Sequence, residues 1–307
     1  KQKTAYEIYQ CDWSSDVCSS DLSEENARQA KEMLFSIQNS RKARVGGLGG
    51  LLDPELMARK EAEEKRLRAA AAADPKLKDA VGSWDKIEKA HKVRAEIIRR
   101  YTLLEGGSGM LSELFGIART LVRAADEKSK PQAERLREFI DSNKEPLELE
   151  LFSEEPIYEG FEIVKLADSL TYLAGELGLG DPLVAKVLAG KSPQARAAEL
   201  VNGTKLKSVA ERKKLYEGGK SAIDASADPM IQLAKLVDPE SRELRRRMET
   251  EVEEVKRQAY NQIAKVKFAL DGTSTYPDAT FTLRLSYGIV KGYEENGAKV
   301  PAFTTYE

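Results

Sequence analysis

Leu244, Met248, Val252, Val255, Ala259, Ile263, Val266 and Leu270 recur at steps of three and four. That spacing places all eight on one face of an α-helix, so the sequence predicts a single helix of roughly 30 residues here. The positions between them are dense in Glu, Arg and Lys, as on a solvated surface. Shorter stripes repeat the pattern upstream. Ala27, Ala30, Leu34 and Ile37 form one, and Leu111, Leu114, Phe115, Ala118, Leu121, Val122 and Ala125 form another. A chain built from such stripes buries them against each other, and a helix-on-helix domain is expected from Ser23 to about 270.

The helix starts are marked by local chemistry. Asp-Pro occurs at Asp53, Asp74, Asp181, Asp228 and Asp238, and Ser192-Pro193 is similar. The Asp or Ser oxygen accepts from the free N–H groups of a first turn, and Pro at the first helical position loses no hydrogen bond. Ser208 with Glu211 fits a capping box. Gly46-Gly47, Gly106-Gly107 and Gly218-Gly219 follow helical runs and suit stops or tight turns. Residues 60–73 read as a solvated helix, and the acidic stretch 145–160, with two prolines, reads as a connector.

Near Asp271-Gly272 the period changes from 3.6 to 2. Phe281, Leu283, Leu285 and Tyr287 alternate with Thr280, Thr282, Arg284 and Ser286, as in a half-buried strand. Ile289 to Tyr293 continues it or begins another. Asn296-Gly297 suits a hairpin turn, and Val300 to Thr305 a return strand. The fold class expected is mainly α, a multi-helix domain (23–270) followed by the first strands of an incomplete β unit (271–307).

Composition sets limits. The 307 residues carry 49 Lys and Arg against 51 Asp and Glu. No basic stripe argues for nucleic acid, and no run of about 18 apolar residues argues for a membrane span. Residues 1–22, KQKTAYEIYQCDWSSDVCSSDL, resemble a translated sequencing-library adapter: KQKTAYE at one end and DWSSDVCSSDL at the other match its two parts in order. The competing reading is a natural Ser/Asp-rich tail. On the adapter reading the stretch is disordered and not part of the protein. It then takes with it both cysteines, Cys11 and Cys18, so no disulfide or thiol chemistry is expected. It also implies a reading frame cut upstream of Ser23, and the chain is expected to be cut after Glu307 as well.

No constellation in the sequence carries a reaction. The single histidine, His91, lies in a helical run and reads as a surface or structural residue. No G-x-S-x-G elbow occurs. Gly106-Gly107-Ser108-Gly109 is the nearest flexible serine motif and reads as an inter-helix turn. Gly46-Gly47-Leu48-Gly49-Gly50 lacks the Lys-Ser/Thr of a phosphate loop. No metal or cofactor is expected.

Two segments carry a resemblance. FSIQNSRKARVGGLGGLLDPELMARKEAEE (35–64) and TFTLRLSYGIVKGYEENGAKVPAFTTYE (280–307) resemble, in this order and separation, stretches of the bacterial dipeptidyl-peptidases 7 and 11. TLRLSYG and VPAFTT are the most specific pieces. The resemblance implies a chymotrypsin-like double β-barrel with an inserted helical domain that caps the cleft, so that 271–307 begins the second barrel. It implies a serine peptidase releasing dipeptides from free peptide N-termini, at the periplasm or cell surface, and leaves room for a homodimer of the full-length protein. The family's catalytic His and Asp would lie upstream and its Gly-Asn-Ser-Gly-Ser-Pro nucleophile motif downstream. No catalytic residue is therefore expected in this chain, and the chain is expected to be inactive. One position carries over: Asn39, in Gln38-Asn39-Ser40-Arg41, matches the asparagine that holds the substrate's N-terminal amine. The alternative is a non-enzymatic helical scaffold or interaction protein, which has no need of TLRLSYG or VPAFTT.

Overall fold

The computed structural model describes residues 23–272, 287–295 and 297–303. Its helices are α1 (Glu24–Gln29), α2 (Lys31–Leu52), α3 (Pro54–Ala73), α4 (Ser83–Leu104), α5 (Glu113–Glu127), α6 (Lys144–Leu151), α7 (Glu159–Leu177), α8 (Pro182–Leu188), α9 (Pro193–Gly203), α10 (Val209–Ala225), α11 (Pro229–Arg247) and α12 (Glu254–Asp271). Short 3₁₀ turns fall between some of them, the largest at Pro75–Ala80.

Local chemistry sets most of the starts. Asp53, Asp181 and Asp228 each accept from two backbone N–H groups of the following turn, with Pro at the first helical position. Ser192 accepts from one, Ala195 N–H, at the start of α9, and Asp74 opens the 3₁₀ turn. Asp238 departs from the expectation: Pro239 lies inside α11, and Asp238 is buried. Its carboxylate pairs with Arg123, 115 residues away, and with Arg242, so it serves tertiary packing rather than a cap. Ser208 stands at the start of α10 without a side-chain cap bond, so the capping box is not formed. The stretch 145–160 is not a connector throughout. Its first part is helix α6, which accommodates Pro146 in its first turn, where an N–H is unpaired in any case.

The long apolar stripe is helical over a greater length than the spacing predicts. α11 runs through a six-residue π-helical turn, Met248–Glu253, into α12 without a break. Leu244, Met248, Val252, Ala259 and Val266 are buried, whereas Leu270 is exposed. α5 packs between α10 and α11, and α9 lies along α7. Leu111 is exposed and precedes α5, so that stripe begins at Leu114. Two apolar clusters result. The main one gathers residues of α4 to α11 and ends at Val252; the smaller contains Leu67, Ala71, Ala80 and Val266.

An ion network lies inside the main cluster. The Arg123 guanidinium on α5 donates to Glu105 at 2.5 Å and to Asp238 at 2.6 Å, and its side chain is 5% exposed. Ser241 donates to Glu105, Arg242 reaches Glu127, and Arg245 pairs with Glu138. Burial opposes ionisation of Glu105, but the hydrogen bonds from Arg123 and Ser241 hold its carboxyl below the usual glutamate value of 4.5. Glu127 and Glu138 are depressed in the same way, against burial, by Lys130, Leu136 N–H and Arg242, and by Arg245.

Of the strand expectations, Phe281 to Ser286 lies outside the described residues. Ile289 to Gly292 forms no element. Beyond it, β1 (Tyr293–Glu295) and β2 (Ala298–Val300) pair antiparallel, with Glu295 opposite Ala298. Gly297 has φ of 78°, as a hairpin turn needs, while Asn296 lies outside the described residues. The return strand expected over Val300 to Thr305 lies earlier: it ends at Val300, 301–303 form no element, and 304–305 lie outside the described residues. The described part of the chain is mainly helical, and the two short strands do not define a barrel.

Arg123→Met should cost about 3–5 kcal/mol in urea unfolding, because Glu105 and Asp238 are left buried without their cation. Three depressed glutamates also fix the acid side. In the unfolded chain they protonate more readily, so their contribution is complete well above pH 4.5 and is lost as pH falls through and below that value. Unfolding followed against pH should show stability falling in that window, and less steeply in Arg123→Met.

Candidate functional site

Asn39 lies at the middle of α2, and α2 stands apart from the core. α1 rests on α7 and buries Ala30, after which the chain turns and α2 extends outward, packing on α3. No residue of α2 is buried. Asn39 is exposed, and its amide makes no hydrogen bond among the described residues. It is therefore neither a helix cap nor a core polar group. Phe35, one turn before it, is also exposed.

The glycines that follow do not stop the helix. Gly46, Gly47, Gly49 and Gly50 are all helical, and α2 ends only where Asp53 turns extended to begin α3. A Cβ added at Gly46, Gly47 or Gly49 would meet nothing within 4 Å. Neither crowding nor a positive φ requires glycine here, and each glycine loosens an exposed helix.

The serine motif after α4 is a built turn, as the sequence suggests. Gly107 has φ of 78°. A Cβ at Gly109 would sit 2.9 Å from Leu103 O and from a Leu173 methyl. The Ser108 hydroxyl donates to Thr102 O at 2.8 Å, which fastens the end of α4. Gly218-Gly219 also makes a break, a kink within α10 at Gly219. His91 is exposed on α4 and contacts neither an acid nor a serine hydroxyl through hydrogen bonds among the described residues.

Other polar groups that sequence reasoning did not single out prove to be structural. Glu162, buried on α7, accepts from the Ser112 hydroxyl at 2.6 Å and from Glu113 N–H at 2.8 Å, capping α5 from another helix. Arg212 is buried and donates to the carbonyls of Leu206, Leu151 and Ser153. Burial lowers its pKa, in keeping with a guanidinium held by carbonyl dipoles alone. Asp168 is pushed upward by burial, and Glu113 by burial and the nearby Glu162 carboxylate; neither side chain is hydrogen-bonded to a serine or threonine hydroxyl among the described residues. Among the described residues no group of three His, Cys, Asp or Glu is placed to hold a metal ion, and no helix is long and apolar enough to cross a membrane.

The model of the family Peptidase S46 matches residues 14–307. The chain belongs to that family, the one that includes dipeptidyl-peptidases 7 and 11. The match begins inside the stretch that resembles an adapter.

Replacing Gly46, Gly47 and Gly49 together by alanine should stabilise α2 by roughly 0.8–1 kcal/mol per site. Amide hydrogen exchange across 40–52 should slow accordingly. Unchanged or faster exchange would mean that the glycines are held by something other than helix propensity.

Proposed function

We propose that this chain is the helical substrate-capping part of a serine-type dipeptidyl-peptidase, with Asn39 holding the free N-terminal amine of the peptide. Family membership supports peptide substrates. The observation that carries the Asn39 role is its unpartnered, exposed amide on a helix that buries nothing. A side-chain carbonyl accepts from an ammonium without adding charge, and fixing the amine sets how far the chain enters the cleft. Holding the substrate in one register lowers the entropic part of the barrier. An exopeptidase that counts two residues from the end needs such an anchor.

On this reading 23–270 is the capping domain and the residues after Asp271 begin the second barrel. The serine nucleophile and its His and Asp partners belong to other parts of a longer protein at the periplasm or cell surface. The 307 residues contain one histidine and no Gly-Asn-Ser-Gly-Ser-Pro motif. Acyl-enzyme chemistry needs a nucleophile with an adjacent base, so the chain by itself is inactive.

Two measurements test this. The purified 307-residue chain should release no chromophore from dipeptidyl substrates, and turnover would end the capping-part reading. In the longer protein, Asn39→Ala should lower kcat/KM at least about tenfold on substrates with a free amine, the loss of one hydrogen bond to a charged group. An unchanged value would remove Asn39 from the site.

A further inference from the structure

A polar groove lies beside the molecule's long helix. Between α12 and the start of α4 runs a groove of about 780 Å³, within the range of ligand sites. Asp79, Ser83 and Lys86 line one wall; Asn261, Gln262 and Lys265 line the other. Phe268, 62% exposed, closes one end.

Pairing along the long helix changes at this groove. Every charged side chain from Arg242 to Arg257 on the long helix is in an ion pair. At the groove this stops. Asp79, Lys86, Asn261, Gln262 and Lys265 form no side-chain hydrogen bond or ion pair among the described residues. Ser83, 1% exposed, lies in the wall with a hydroxyl that has no partner.

We propose that this groove binds an extended acidic peptide segment. Asn261 and Gln262 each offer a donor and an acceptor, as main-chain amides require. Lys86 and Lys265 outnumber Asp79, which favours carboxylates, while Asp79 disfavours a polyphosphate. Phe268 gives one side chain an apolar seat. The site is independent of Asn39, and the assignment does not rest on its role.

The probes are acetyl-Glu-Ala-Glu-Ala-amide and its lysine counterpart, titrated calorimetrically into the 307-residue chain. Both lack a free amine. Saturable binding of the acidic peptide is expected with Kd below about 1 mM, and at least tenfold weaker binding, roughly, of the basic one. Lys86→Glu with Lys265→Glu should weaken the acidic peptide about tenfold or more. Asn261→Ala with Gln262→Ala should weaken it about fivefold. Lys86, Asn261 and Lys265 are exposed and Gln262 is half-buried, and an unchanged circular dichroism spectrum would confirm that the variants fold. Asn39→Ala should leave this affinity unchanged. Absence of saturable binding, or binding that ignores these substitutions, would overturn the assignment. So would loss of binding in the longer protein with the groove protected from hydrogen exchange, which would make it a contact between domains.

Discussion

The helices that form the main core are held in register by one buried cation. Arg123 meets Glu105 at the end of α4 and Asp238 within α11, so a single guanidinium fixes three elements that are far apart in sequence. Its planar fork suits two carboxylates at once, which an ammonium cannot match. A buried ion pair of this kind adds little net stability compared with an apolar substitute, but it makes wrong registers costly, because any slip leaves a bare charge in the core. The apolar stripes of α5 and α11 alone would tolerate a shift of one turn. The ion network does not, and the neighbouring pairs Arg242–Glu127 and Arg245–Glu138 extend the same constraint along α11.

How much of this was legible in the sequence depends on how local the deciding interaction is. Asp53, Asp181 and Asp228 cap as their Asp-Pro pairs predict, since cap and helix are adjacent in the chain. Asp238-Pro239 is the same dipeptide with a different outcome. There the partner that decides, Arg123, lies on another helix, and no pattern around residue 238 announces it. The glycines of α2 misled for a related reason. A glycine stops a helix only if the next residues leave it, and here the helix-start signal at Asp53 sets the end. The hairpin at 293–300 was readable because a two-residue turn carries its own chemistry.

The candidate site divides similarly. That Asn39 lies on a helix follows from periodicity, but the proposal that it binds an amine rests on the resemblance of the surrounding segment. Its unpartnered state became visible once α2 was seen to leave the core. The groove beside α12 had no signal in sequence at all. Its residues come from three elements, the 3₁₀ turn Pro75–Ala80, α4 and α12, the last about 180 residues further along the chain. The charge runs that fill α12 and α4 look uniform when read along the chain.

The long helix α11–π–α12 has a further consequence, for cooperativity. It threads both apolar clusters, yet among the described residues the smaller has Leu67, Ala71, Ala80 and Val266 buried, with Ala70, Leu77, Trp84 and Ile263 partly buried against them. So few side chains cannot offset the ordering entropy of α3 and the tip of α12. The distal end, with α2 and α3, is therefore the part expected to open locally before the main core melts. A substrate held by Asn39 would then be gripped by the part of the molecule that gives way first, so the strength of that grip and the local folding of the arm are one equilibrium.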